Sequence, residues 1–247
     1  MRIAVSCDGK TISNPVSMAT PPTFEEGLHM LIENSGKAVG SANSSAVVGG
    51  LAGSFDRGHE FLVSGGNVKA WIGKPLKKEL EQAFRAPVIL ENDSALAGLG
   101  EAVVGAGKDY EIVAYITVST GMGGARITNK SIDKTVYAFE PGFQIVDAGK
   151  CLCSQCTKMH LGAHISGKGI EERCHKKAEE IRDVAMWDDV ARHLAFGLNN
   201  TIVHWSPDIV VLGGAVMQSI SIENIRMYVA EMLHVYPEVP SIDWARL

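Results

Sequence analysis

No apolar run in this 247-residue chain approaches the length of a bilayer span, and no secretory apolar region follows Met1-Arg2-Ile3-Ala4-Val5. Positive charge is not in excess: 23 Lys and Arg against 28 Asp and Glu leave a formal −5, so no basic patch recommends a nucleic-acid partner. No period of about 20 to 50 residues repeats, which argues against a solenoid, and no low-complexity tract stands out. The Gly-x4-Gly-Lys-Ser/Thr phosphate loop is missing, although Lys168 stands beside glycines in Ser166-Gly167-Lys168-Gly169. Five cysteines are an odd number, unlike a disulfide framework. These absences predict a cytoplasmic protein that engages neither membrane nor nucleic acid.

What is present is an ordinary globular composition, 46% hydrophobic and 21% charged, long enough for one large domain or two lobes. Its most informative run is Glu91-Asn92-Asp93-Ser94-Ala95. This run follows an apolar strand, Val88-Ile89-Leu90, and opens a helix over Leu96 through Val104. Ligands of α/β folds collect at the carboxyl ends of strands. An aspartate there is able to take a proton from a hydroxyl while Asn92 orients the same substrate. The residues alone leave a second reading open, in which Asp93 only caps the helix.

Strand and helix patterns alternate along the rest of the chain. Arg2 to Cys7 alternates weakly and meets the hairpin signal Asp8-Gly9. Thr23 and Glu26 fit a capping box that opens a helix through Asn34. Lys37 to Gly53 reads as a tightly packed strand with its exit loop, and Gly65-Gly66-Asn67 as a turn with a polar tip. Pro75 to Phe84 is a helix with proline in its first turn. Glu111 to Val118 is a buried strand, and Trp187 to His204 has helical spacing that ends at Pro207-Asp208.

Two glycine-rich turns follow apolar strands: Ser119-Thr120-Gly121-Met122-Gly123-Gly124 after Val118, and Gly213-Gly214 after Ile209 to Leu212. Glycine lets the backbone approach a ligand, and successive N–H groups form an anion nest. A glycine-rich turn taken alone is equally an ordinary hairpin. The combination of an acidic strand end, a Thr-Gly-x-Gly-Gly turn and a terminal strand-Gly-Gly suits phosphate transfer between a hydroxyl and a nucleotide.

Cys151-x-Cys153-x2-Cys156-x3-His160 gathers three thiols and an imidazole in one short segment. That is a tetrahedral zinc set, structural because four protein ligands leave no open position; the alternative is a group of free cysteines. Cys7 and Cys174 read as incidental thiols, His175 as a surface residue, and His193 and His204 as partly buried. Trp187, Trp205 and Trp244 read as packing residues, while Arg126 has no evident role.

Several of these segments, taken in order, resemble the ROK family of sugar kinases and sugar-responsive repressors. The carriers are Glu91 through Glu101, Ile116 through Gly124, Glu140-Pro141-Gly142, the cysteine cluster with His160-Leu161 and Ser166-Gly167, and Ile209 through Gly214. The resemblance implies an α/β chain with the actin-like, hexokinase-like fold, two lobes about a central cleft. The lobes would be residues 1–104 and 105–247, the second carrying the zinc loop at 151–160. It implies that Asp93 is the general base and that Asn67, Asn92 and Glu140 hold the sugar alongside it. Thr120, Gly121, Gly123 and Gly124 would face nucleotide phosphates, and Gly213 and Gly214 would lie near the adenosine. ATP, magnesium and a structural zinc are the implied cofactors, sugar and nucleotide the ligands, and a homodimer a candidate assembly.

The departures from that pattern are specific. Relatives begin with an Asp-x-Gly-Gly-Thr loop, whereas Arg2 to Val5 resembles the strand that follows it; truncation at both ends is the expectation, with little or no turnover by these residues alone. The family's His after Glu-x-Gly is Phe143, a sugar-binding Glu is Gly162, and a Gly before Glu140 is Phe139. Losing hydrogen-bonding groups weakens or retunes sugar binding, and Gly162 leaves room for a bulkier substituent. Two functions stay open: an ATP-dependent sugar kinase, and a non-catalytic sugar-binding domain of the pseudokinase or repressor type.

Overall fold

The computed structural model describes residues 1–40, 42–66, 68–147 and 158–247. The chain divides into two compact units: Met1–Asp93 with Val136–Ala138, and Ser94–Thr135 with Phe139–Leu247. Among the described residues no helix is long and apolar enough to cross a membrane.

The first unit opens with strand β1 (Arg2–Ile3) paired antiparallel to β2 (Val16–Ser17). The connecting loop is organised by Asp8, whose carboxylate accepts from the Thr11 and Lys10 amides and is held well below the usual carboxylate range by them. Helix α1 (Phe24–Val39) starts at Thr23, which caps it with one half of the expected box: Thr23 Oγ1 accepts from the Glu26 amide, while the Glu26 carboxylate accepts from the Thr23 hydroxyl at 2.9 Å rather than from its backbone N–H. It runs past Asn34 and through Gly36, with a Glu33–Lys37 pair spanning that turn, and ends at Gly40, at φ 66°. Lys37 to Val39, read above as the start of a strand, is therefore helical.

Strand β3 (Val47–Leu51) follows, then the short antiparallel pair β4 (Ser54–Phe55) and β5 (Leu62–Ser64), helix α2 (Leu76–Phe84) and strand β6 (Val88–Asn92). β3 and β6 pair in parallel from Val47↔Val88 to Leu51↔Asn92. Val88 and Leu90 on β6 meet Leu76 and Leu80 of α2 in a core that also holds Phe24 and Trp71. Those two rings meet edge to face at 5.5 Å, and Gly27 has no side chain because a β-carbon would lie 2.3 Å from the indole.

The second unit is built on a five-stranded sheet. Its strands are β7 (Ile112–Val118), β8 (Met122–Thr128), β9 (Ser131–Ile132), β10 (Ile209–Gly213) and β11 (Ser241–Trp244), in the spatial order β11-β10-β7-β8-β9. β11, β10 and β7 run parallel, while β7, β8 and β9 form antiparallel hairpins. Alternation along β7 divides the core: Ile116 and Val118 enter the larger cluster, Val113 and Tyr115 the smaller.

The larger cluster contains residues of α4 (Leu161–Ile165), α5 (Gly167–Cys174), α6 (Val184–Trp205) and α7 (Ile222–Met232); the smaller contains Ala95 and Ala102 of α3 (Asp93–Val103). Arg126 finds its role here. Its Nε donates to the Trp205 carbonyl at 2.9 Å, satisfying an orphan acceptor at the C-terminal end of α6, and its Nη1 pairs with Asp133.

Candidate functional site

Strand and helix join without a linker where the first unit ends. β6 continues through Asn92, because its ladder with β3 extends to Leu51, and α3 begins at Asp93. The helix thus starts three residues before the predicted Leu96, 96 − 93. Asn92 is buried, and its Nδ2 donates to the Gly53 carbonyl at 2.9 Å. Gly53 has φ 141°, and a β-carbon there would come within 2.0 Å of the Ser64 oxygen, so only glycine sets this acceptor in place. The Asn92 amide donates to Glu91 Oε1 at 2.7 Å. Asp93 is exposed in the first turn of α3, where a carboxylate is favoured by the helix dipole. Asn67 lies outside the described residues.

In the second unit the β7–β8 ladder closes at Val118↔Met122, leaving Ser119, Thr120 and Gly121 as the turn. The Ser119 amide donates to the Gly121 carbonyl at 2.8 Å, and Thr120 and Gly121 are exposed at the tip. The first turn of α5 docks here by its main chain: Gly167 donates to the Ser119 carbonyl at 2.7 Å and Lys168 to the Thr120 carbonyl at 3.1 Å. Ser166 Oγ accepts from the Gly169 amide, so these leading amides of α5 are occupied by protein acceptors.

Gly123 and Gly124 lie inside β8 rather than in the turn, and packing itself demands glycine at both. A β-carbon would fall 2.3 Å from Ser94 Oγ at position 123 and 2.6 Å from the Tyr115 carbonyl at position 124. Gly213 ends β10 with a β-carbon position 2.6 Å from the Tyr115 hydroxyl; Gly214 turns at φ 99° beside the Val118 carbonyl.

Glu140 is exposed and precedes a 3-10 turn over Pro141–Phe143. Phe143 is 64% exposed, and its ring lies 4.9 Å from that of His160. His160 Nδ1 is 3.1 Å from the Gly142 carbonyl and 3.3 Å from the Ala163 amide, contacts that require opposite tautomers. With the proton on Nδ1 the ring donates to Gly142 and keeps the Nε2 lone pair for a metal, the usual support for a ligating imidazole. The other expected ligands, Cys151, Cys153 and Cys156, lie outside the described residues. Gly162 does not open a space: it is buried, and a β-carbon would lie 3.2 Å from the Gly142 carbonyl.

One cluster escaped the sequence reading. His164 is fully buried, its ring stacked 5.6 Å from that of His193, with Nε2 4.0 Å from the buried Asp147 carboxylate. Among the described residues neither ring nitrogen has a hydrogen-bond partner, and burial pushes its pKa down, assisted by His193 and Arg173. Its place between Leu161 and Ile165, both fully buried, was the available signal.

The ROK family model matches residues 2–246 of this chain. The chain belongs to the ROK family. Among ROK relatives, the xylose repressor of Bacillus spizizenii (strain ATCC 23059 / NRRL B-14472 / W23) is 26% identical over 68% of this chain and 48% of its own length. A glucokinase of Halalkalibacterium halodurans is 28% identical over 60% of this chain and 55% of its own. The chain spans about half the length of the curated relatives it matches first. The ROK hexokinase of Thermus thermophilus superposes with a TM-score of 0.83 at 25% identity, over 97% of this chain and 87% of that one. A ROK glucokinase of Streptomyces griseus, solved with glucose and AMPPNP, gives 0.81 at 23% identity over 100% and 91%. The α/β fold is therefore the actin-like fold of the ROK hexokinases, and ROK relatives include both sugar kinases and sugar-linked repressors.

Proposed function

We propose that this chain is the catalytic kind of ROK domain, transferring the γ-phosphoryl group of ATP to a hydroxyl of a hexose or amino sugar. The carrying observation is the joint at β6 and α3, where a buried, anchored Asn92 is followed directly by an exposed aspartate at a helix start. In this reading Asp93 accepts the hydroxyl proton as the sugar oxygen bonds to the γ-phosphorus. The bond from that phosphorus to the ADP oxygen breaks, and the electron pair leaves with ADP. Asn67, Asn92 and Glu140 hold sugar hydroxyls, Thr120 with Gly121, Gly123 and Gly124 receives the phosphates, and Gly213 and Gly214 lie by the adenosine. Magnesium accompanies ATP and neutralises its phosphate oxygens. Zinc is assigned to Cys151, Cys153, Cys156 and His160; the Gly142 carbonyl, accepting from His160 Nδ1, would leave Nε2 as the metal ligand.

A second reading, a sugar-binding regulatory domain, is favoured by the exposed Phe143 in place of an imidazole and by the repressor among the relatives. Transfer of labelled γ-phosphate from ATP to glucose, fructose and N-acetylated hexosamines separates the two. The kinase reading expects sugar-dependent transfer, however slow, that falls by roughly a hundredfold or more in Asp93→Asn. Sugar binding with no transfer at all would favour the regulator.

A further inference from the structure

His59 lies in the loop between β4 and β5 at φ 53°, a left-handed conformation that glycine takes without steric cost. Asp56 shapes the loop, with a carboxylate that accepts from the amides of Gly58, Glu60 and Phe61 and a carbonyl that accepts from the His59 amide. The Phe61 bond, first among these, also holds the Asp56 carboxyl below its usual range.

The imidazole instead reaches the strand that leads into the proposed sugar site. Its ring stacks on the buried Phe55, 5.7 Å between centroids and 4° from parallel. Its Nδ1 is 3.0 Å from the Leu90 carbonyl and 3.5 Å from Glu91 Oε2. A carbonyl only accepts, so Nδ1 carries the hydrogen. The other Glu91 oxygen accepts from the Asn92 amide. One chain of contacts thus runs from a loop residue in a costly backbone conformation to the main chain of Asn92.

We propose that His59 is a positioning residue for sugar binding: with Glu91 it clamps the end of β6 and so fixes how Asn92 and Asp93 are presented. The inference rests on the assignment of Asn92 to the sugar. Backbone and side chain are separable here, because glycine at 59 relieves the left-handed strain while removing the clamp. Asparagine tolerates the same conformation and keeps a donor at the position of Nδ1.

The experiment is calorimetric titration of the 247-residue chain with glucose, fructose and N-acetylglucosamine, and separately with AMPPNP, for the parent, His59→Gly and His59→Asn, with urea unfolding of each. His59→Gly is expected to unfold at a urea concentration no lower than the parent, yet to bind the sugar roughly tenfold more weakly, the scale of one oriented hydrogen bond. AMPPNP affinity stays unchanged, and His59→Asn recovers part of the sugar affinity. Unchanged sugar affinity in His59→Gly overturns the positioning role alone. Equal losses of sugar affinity, AMPPNP affinity and stability also overturn it, as the mark of a merely structural residue. A parent that binds AMPPNP but none of the sugars overturns the sugar-site assignment together with it.

Discussion

A β-carbon on Gly123 would lie 2.3 Å from the hydroxyl oxygen of Ser94, so strand β8 and helix α3 touch at a point with no spare volume. Gly123→Ala is expected to lower stability by about 1–3 kcal/mol through overpacking. Ser94→Ala in the same chain removes the clashing oxygen and leaves the Ser94 β-carbon at 3.3 Å, so the double variant recovers most of the loss. Urea midpoints of the four proteins in the cycle measure this. Additive losses would mean that the contact is not what requires glycine.

Acid sensitivity should centre on His164. Its folded pKa is lowered from the ordinary 6.5, first by burial and then by His193 and Arg173. Between the two values the unfolded chain binds the proton and the folded chain does not, so stability is complete above 6.5 and lost as pH falls below it. The slope from one such group reaches about 1.4 kcal/mol per pH unit. In His164→Phe the difference between unfolding free energies at neutral and mildly acidic pH should shrink; a difference equal to the parent's would assign the sensitivity elsewhere.

Glu101 is 2% exposed, and its two oxygens serve three amides. Oε2 accepts from Ala106, and Oε1 from Arg246 and Leu247, each at 2.8 Å. Glu101→Gln replaces one acceptor with a donor that faces N–H groups, and is expected to cost about 2 kcal/mol. Hydrogen exchange should quicken either at Ala106 or at Arg246 and Leu247, according to which way the amide turns. Unchanged protection at all three would show that these bonds do not hold the segment.

Zinc content tests the proposed metal set directly. Purified protein is expected to carry about one zinc per chain, and His160→Ala to bind it more weakly, since four ligands complete a tetrahedral structural site. Metal at well below one equivalent after mild purification would favour free cysteines.

The elements most legible in the sequence were those fixed by local chemistry. Thr23 caps α1 as read, since its hydroxyl reaches the Glu26 amide within one turn. The buried strand ending at Val118 and the long helix ending near Pro207 followed from periodicity alone. Boundaries set by a distant partner were not legible: β6 extends to Asn92 only because β3 runs alongside it, and Gly123 belongs to a strand only because β8 pairs with β7.

By itself the amino-acid order determined the alternation of strands and helices, the junction of Asn92 with Asp93, and the glycines at strand ends. Each depends on near neighbours and on backbone preferences that a short segment already contains. Tertiary structure alone decided that Gly123, Gly124 and Gly213 are required by Ser94 and Tyr115, that His164 is sealed from water, and that His59 reaches Leu90 and Glu91. Those facts come from contacts between residues far apart in the chain, whose approach is set by packing rather than by local propensity.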